Sequence, residues 1–385
     1  MGEVSHGRSL NILGLGKVYS QGVKKGEVLD YRTASEMVHQ AIVLAEQSAG
    51  AELERVYLAQ TGGHLKGFRS MGSVSVSASD NRVSATDIKR VTENAKSKEL
   101  SKDRVYIHHI QNAFLLDARE CSNPMNMQGD KLEVAYWSIH GDVRKVRDPI
   151  HIINGFGLQV EDIILSSIAS GAIVANETEK QNGVLVVDIG CGTTDYALYK
   201  DGYIVYTGVI PVGGDHLTND LSLGLRITHD HAERIKLDAG KAFIDDTDKE
   251  SPVTLTHIKD MNTRTVQRHA IYQILNARVT ELFQLIRTQL ETQWDFSHPL
   301  PGGVILTGGT SLLPGIESCA CTAFEQEIRV NPIPNWVNDS LREPGMATAL
   351  GLLQYALGGS TQETVSQLEA SGGLLKRVSQ IFSGS

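Results

Sequence analysis

Apolar and polar positions follow two different periods along the chain, and the points where one gives way to the other divide it. Residues 10–19 place apolar side chains at Ile12, Leu13, Leu15 and Val18 and read as a strand, closed by the turn Gly22–Gly26. Over Thr33–Gln47, the apolar positions Met37, Ala41, Leu44 and Ala45 share one face of a helix. Val56–Ala59 is a short buried strand ending at Gly62–Gly63. From about Leu65 the texture changes: Val74, Val76 and Ala78 alternate with serines, as a half-solvated strand does. Ser84 to Asp87 has the spacing of a capping box opening a helix with Ile88, Val91 and Ala95 on one face. Arg104–Ile110 and Leu132–Ile139 supply two further strands on either side of the loop Asn123–Gly129. A β-α-β-β segment lying between two α/β segments predicts an inserted subdomain.

The α/β rhythm then resumes, with a helix over Asp148–Phe156 and a buried strand over Val160–Leu165. A second α/β unit opens at Gly183, residues 226–299 read as mostly helical and charged, and a buried strand returns at Gly303–Leu306. The long amphipathic stretch Thr265–Trp294 lies within the helical part. Beyond Tyr355 the chain turns polar and loses periodicity, which predicts a linker before a last helix at Leu374–Phe382. The expected division is a first core domain of residues 1–64 and 142–182, an insertion at 65–141, a second core domain of 183–225 and 300–355, a helical subdomain at 226–299, a linker at 356–373 and a terminal helix at 374–385.

Composition narrows the class. The 385 residues are 41% hydrophobic and 21% charged with a net charge of -9, so the balance is that of a globular protein and disfavours a partner made of nucleic acid. The four cysteines match neither a disulfide framework nor a zinc site, and Cys319-x-Cys321 is too tight for the usual ligand pair. Met1–Arg8 has no apolar signal core, His6 stands where a myristoylation signal needs Ser or Thr, and no apolar run is long enough to span a bilayer.

Candidate chemistry begins at Gly183–Tyr199, where an apolar strand ends in Asp188, a tight turn follows, and an alternating strand leaves it. Gly190 and Gly192 let the turn backbone approach phosphates, Cys191 sits between them, Thr193 and Thr194 offer hydroxyls, and Asp188 offers a carboxylate to a phosphate-bound Mg²⁺ or its water shell. The Asp at the strand end together with Thr-x-Asp after the turn distinguishes this from an ordinary glycine-rich hairpin. About 20 residues on, Gly213 and Gly214 make a second turn leading into a helix, whose N-terminus suits an anion. A third turn at Gly308–Gly309, followed by Thr310, leaves a backbone free of side chains that suits a flat adenine ring, with Leu312 placed to pack against it. Glu233 and Lys236 lie between them at i, i+3, which on local grounds alone reads as a surface ion pair.

The order of these pieces resembles the ATPase fold shared by actin, chaperones and sugar kinases, with a nucleotide cleft between two α/β halves. Within that group Gly22–Gly26, Val56–Ala59, Asn123–Gly129, Pro211–Thr218, Thr307–Gly309 and the insertion at about 65–141 resemble the FtsA family of bacterial cell-division proteins over nearly the whole chain. The resemblance implies an actin-like two-domain α/β ATPase fold with an inserted SHS2-like β-α-β-β subdomain. It further implies ATP and Mg²⁺ as cofactors, self-association into filaments, and FtsZ as a partner whose tail docks on the helical subdomain. Other divisome proteins and the anionic inner face of the cytoplasmic membrane at the septum complete the implied setting. A pilus-assembly ATPase resembling PilM is the alternative; a sugar or acetate kinase or a chaperone fits less well.

Three departures from the family pattern carry expectations of their own. The family's first phosphate-binding hairpin lies ahead of Asn11–Tyr19, so residues 1–385 are expected to hold half of the phosphate clamp and to bind ATP weakly. Cys191 replaces a glycine of the phosphate turn. Leu165–Gly171 carries serines where related ATPases have a catalytic carboxylate, and Ser166 is no general base unaided, so hydrolysis is expected to be slow or absent. At the other end Leu374, Leu375, Val378, Ile381 and Phe382 form one apolar stripe beside Lys376 and Arg377, the pattern of a helix lying in an anionic membrane surface. His108-His109 point to opposite faces of a strand and are no metal pair, Gly14-x-Gly16 lacks the third glycine and acid of a dinucleotide site, and the charge run Asp245–Glu250 reads as a solvated loop.

Overall fold

The computed structural model describes residues 1–4, 10–244, 252–256, 263–293 and 298–362. The predicted tail helix and the charge run at 245–250 lie outside them.

The first segment is built of short pieces. β1 (Gly2–Val4) pairs antiparallel with β2 (Leu10–Ile12), and β3 (Val23–Lys24) with β4 (Glu27–Val28). The expected ten-residue strand is therefore three residues long. Gly14 and Gly16 run so close to the following helix that a Cβ at either would overlap the backbone carbonyls of Ala45 and Ala41, which holds this stretch as extended coil. That helix, α1 (Tyr31–Ala49), starts at an Asp30 cap and ends in left-handed Gly50. Its inward face carries Ala34, Val38 and Ile42, whereas Leu44 is exposed. β5 (Arg55–Gln60) follows.

The insertion is an antiparallel sheet with one helix. β6 (Lys66–Ser75), α2 (Ala85–Ala95), β7 (Arg104–Leu116), β8 (Arg119–Cys121) and β9 (Lys131–Asp142) give the strand order β6-β9-β7-β8. The Ser84 capping box is present, and Val91 and Ala95 are buried against Leu132 and Val134. Sequence reading missed β8, a three-residue edge strand. α3 (Val143–Asn154) starts five residues before the expected Asp148, because Asp142 caps it and Pro149 is carried inside the helix. β10 (Gln159–Leu165) then pairs parallel with β5 and runs into α4 (Ser166–Val174).

After α5 (Glu177–Asn182), the second half is organised on β11 (Val184–Ile189). With β12 (Thr194–Lys200), β13 (Tyr203–Ile210) and, further along the chain, β16 (Val304–Thr307) and β17 (Ile328–Val330), it forms a sheet of order β13-β12-β11-β16-β17. β11 is apolar except for Asp188 near its end, because both faces are covered. Leu185, Val187 and Ile189 join a core with α6 (Gly214–Leu225), α8 (Arg268–Gln293) and α9 (Ile316–Phe324). Val184 and Val186 face Ile173 and Val174 of α4 and Leu350 of α10 (Ala347–Gln362). α7 (His229–Ala239) packs beside α6. The region expected to be helical also contains a hairpin, β14 (Pro252–Thr256) with β15 (Thr263–Gln267). The expected linker from residue 356 is helical to Gln362: Leu357 is still buried and extends α10 by nearly two turns.

Candidate functional site

β11 and β12 pair in unbroken register from Val184 opposite Tyr199 to Ile189 opposite Thr194, so the turn between them projects from the end of a rigid, buried ribbon. Gly190 N–H donates to the Thr193 carbonyl at 2.9 Å to close it. Gly190, Cys191 and Gly192 are not among the residues with positive φ. Glycine is needed here for approach rather than for backbone freedom: a Cβ at Gly192 would stand 3.0 Å from the Lys25 amide nitrogen. Cys191 keeps an ordinary backbone and an exposed side chain, which is why this turn accepts a residue with a Cβ.

The three glycine turns converge on one atom. The Gly190 carbonyl accepts from the Gly214 amide at 3.0 Å and from Thr310 Oγ1 at 2.9 Å, while the Asp215 amide donates to the Cys191 carbonyl at 2.8 Å. A Cβ at Gly213 would lie 2.6 Å from the Cys191 carbonyl oxygen, and one at Gly214 2.6 Å from Thr310 Oγ1. Lys236 Nζ donates to the Gly214 carbonyl at 3.1 Å, to Thr218 Oγ1 at 2.9 Å and to Glu233 at 2.7 Å, and Thr218 also donates to Glu233. The Lys236 side chain is only 12% exposed, so the pair that local sequence reads as a surface contact is built into the wall of the second turn.

The two glycines of the third turn have different duties. Gly308 has φ +83°, and a Cβ there would overlap Asp188 Oδ1. Gly309 has nothing within 4 Å of an added Cβ, and Leu312 is 64% exposed, so this part of the turn faces open space.

Asp188 is buried behind the turns and accepts from Thr348 Oγ1 at 2.8 Å; burial pushes its carboxyl up to about 6. Asp195, one turn further, is also buried and accepts from Thr61 Oγ1 at 2.7 Å. Burial, followed by the charge of Asp188, pushes Asp195 up to about 7 against the hydrogen bond from Thr61. Its Oδ1 has no hydrogen-bond partner among the described residues. Thr193 Oγ1 lies 3.2 Å from Thr61 Oγ1, whereas Thr194 is fully buried and donates to the Val212 carbonyl at 2.8 Å, holding the second turn in place.

Sequence reasoning did not select Thr61 and Asp195 as site residues. Asp195 was visible as the acid of Thr-x-Asp; Thr61 gives no signal before the fold brings the end of β5 to β12. At the start of α4, Ser166 Oγ reaches only the Gln60 carbonyl at 3.5 Å, and Ser170 Oγ donates back to the Ser166 carbonyl at 2.9 Å. The predicted membrane-facing residues Leu374, Leu375, Lys376, Arg377, Val378, Ile381 and Phe382 fall outside the described residues.

Comparison with known proteins gives this geometry a family. The family profile described as cell division protein FtsA matches residues 185–351, and the profile for the SHS2 domain inserted in FtsA matches residues 62–140. The cell division protein FtsA of Bacillus subtilis is 31% identical over 349 residues, covering 90% of this chain and 78% of its own. That of Pseudomonas aeruginosa is 32% identical over 361 residues, covering 93% and 86%. The chain belongs to the FtsA family of cell-division proteins. A chain of the PilM-PilN type IV pilus biogenesis complex superposes with a TM-score of 0.64 at 16% identity, covering 92% of this chain and 94% of that one, which is a likeness of fold alone. The FtsA match spans all three glycine turns and the SHS2 match spans β6 to β9, so the architecture is actin-like α/β with an SHS2 insertion, as the motif order implied. Among the described residues of this FtsA-family chain, no helix is long and apolar enough to cross a membrane.

Proposed function

We propose that this FtsA-family protein binds ATP with Mg²⁺ in the cleft at the three glycine turns, assembles into filaments in that state, and tethers FtsZ polymers to the inner face of the cytoplasmic membrane. The observation that carries the nucleotide reading is the Gly190 carbonyl, which accepts from the Gly214 amide and the Thr310 hydroxyl and so gathers the three glycine turns together. Phosphates fit against Gly190–Gly192 and Gly213–Gly214, and adenine against Gly309 with Leu312 beside it.

The donor set suits a hard cation, since Asp188, Asp195, Thr61 and Thr193 present oxygen and nothing else. Asp188 would hold a phosphate-bound Mg²⁺ through its water shell, and the cation would supply charge to the phosphates. The protein's own part is to hold Asp188 in place: burial raises its carboxyl to about 6, and a positive charge beside it would favour the ionised form. The serines at the start of α4 fit a nucleotide that is held rather than turned over quickly.

The membrane and FtsZ parts rest on family membership and on the tail sequence, with its apolar stripe at Leu374, Leu375, Val378, Ile381 and Phe382 and its charges at Lys376 and Arg377. Binding of Mg·ATP to wild type and to Asp188→Ala is the test. Replacement of Asp188 is expected to weaken the Mg²⁺-dependent part of binding by about tenfold or more, the worth of one charge-assisted contact. Equal Mg²⁺-dependent affinity in both proteins contradicts the site. Sedimentation with anionic liposomes alone and with FtsZ polymers alone, with and without residues 371–385, tests the tether: the truncated chain stays in solution with liposomes if the tail is the anchor, and both chains sediment with FtsZ polymers.

A further inference from the structure

The turn between β3 and β4 holds a residue that local chemistry does not explain. Lys25 and Gly26 close a two-residue hairpin, Lys24 pairing with Glu27, and both have positive φ, +53° and +79°. Such turns favour Asn, Asp or Gly at the first position, because a long side chain with a Cβ strains in the left-handed region. Lysine is the poorer turn residue here.

Its surroundings supply another reason. A Cβ at Gly192 would lie 3.0 Å from the Lys25 amide nitrogen and 3.9 Å from its Cγ, so the backbone of Lys25 packs on the first glycine turn and its side chain starts from there. The charge of Lys25 also reaches His216 in the first turn of α6, where it adds to burial in lowering that imidazole. Lys25 therefore lies against the Gly190–Gly192 turn and within electrostatic reach of the helix start after Gly213–Gly214.

The other cations nearby are committed. Lys236 is bound to Glu233, Thr218 and the Gly214 carbonyl, Arg278 lies 2.6 Å from Asp220, and Lys145 lies 2.7 Å from Glu27. Among the described residues no carboxylate pairs with Lys25. With Glu233 neutralised by Lys236, the remaining acids, Asp215 at the rim and Asp188 and Asp195 buried behind, offer a polyphosphate no attraction unless a cation meets it.

We propose that Lys25 is the cation that binds the terminal phosphate of the nucleotide, reaching across the cleft from the opposite half of the molecule. The inference rests on the nucleotide reading above and adds a specificity residue to it. Lys25 senses the length of the phosphate chain rather than the base, and the contact draws the β3–β4 turn onto Gly192.

The test compares ATP, ADP and adenosine, titrated to millimolar concentration against the whole chain by ligand-observed NMR. The variants are Lys25→Asn, Lys25→Arg and Lys24→Met. Lys25→Asn is expected to weaken ATP about tenfold, the loss of one charge-assisted hydrogen bond, to weaken ADP less and to leave adenosine unchanged. Its thermal midpoint should hold or rise, since Asn-Gly is the better turn. Lys25→Arg and Lys24→Met should keep ATP affinity.

If wild type binds ATP and Lys25→Asn binds it equally, or loses ATP and adenosine alike, the role given to Lys25 is overturned while the nucleotide site stands. If wild type binds neither ATP nor adenosine, the nucleotide reading itself falls and takes Lys25 with it.

Discussion

The two walls of the cleft are made differently. The wall from the second half is backbone: Gly190–Gly192, Gly213–Gly214 and Gly308–Gly309, each presented by a buried strand end or a helix start and pinned to the others through the Gly190 carbonyl. The wall from the first half depends on side chains: Thr61, after β5, hydrogen-bonds across to Asp195, and the β3–β4 turn packs its backbone on Gly192 and carries the Lys25 side chain there. A backbone wall must be close-fitting and rigid, so it is written as glycine and shows in sequence. A side-chain wall acquires meaning only when folding sets it opposite its partners.

The largest effect expected from breaking this comparison comes at Gly308. Gly308→Val forces a β-branched residue into φ +83° and onto Asp188, and should destabilise the fold by about 3 kcal/mol in chemical denaturation. A cost below 1 kcal/mol would mean that the third turn is not held against Asp188.

Asp195 is the point where the walls meet, and its sign is opposite. Its carboxyl is raised from an ordinary 3.8 to about 7, so the folded state binds the proton more tightly than the unfolded state. Its contribution to stability is therefore greatest below pH 4 and is lost as pH rises through 7. Asp195→Asn keeps an acceptor for Thr61 and removes the buried charge; it should raise stability at pH 8 by roughly 2 kcal/mol and flatten the profile between pH 4 and 7. An unchanged pH profile would show that Asp195 is not a buried carboxyl of this kind.

The smallest change sharpens the account of the glycine wall. Cys191 has an unstrained backbone and an exposed side chain, so Cys191→Gly should alter stability by less than about 0.5 kcal/mol. A large gain in stability would mean that the thiol strains the turn.

Much of this was legible in the sequence, for reasons that differ by element. β11 reads as strand because burial on both faces makes it apolar up to Asp188, and α2 reads as helix from its capping box and the spacing of Ile88, Val91 and Ala95. The segment at 10–19 read as one strand because its apolar residues are real, but Gly14 and Gly16 serve contact with α1, which periodicity does not report. Leu357 shows the same limit: a single buried residue extends α10 into a stretch whose composition resembles a linker. At the site, the glycine turns and Asp188 were readable, while Glu233–Lys236 looked like a surface pair because Gly214, its third partner, is distant in sequence.

The central claim is that the three glycine turns form one adenine-nucleotide site, and photolabelling tests it where weak affinity is no obstacle. An 8-azido-ATP probe, irradiated with the whole chain and mapped by mass spectrometry, should label the segment around Gly309 and Leu312. Excess ATP should remove that label, and so should Gly309→Val, whose side chain enters open space without disturbing the fold. Label that ATP protects elsewhere in the chain, or that survives Gly309→Val undiminished, would contradict it.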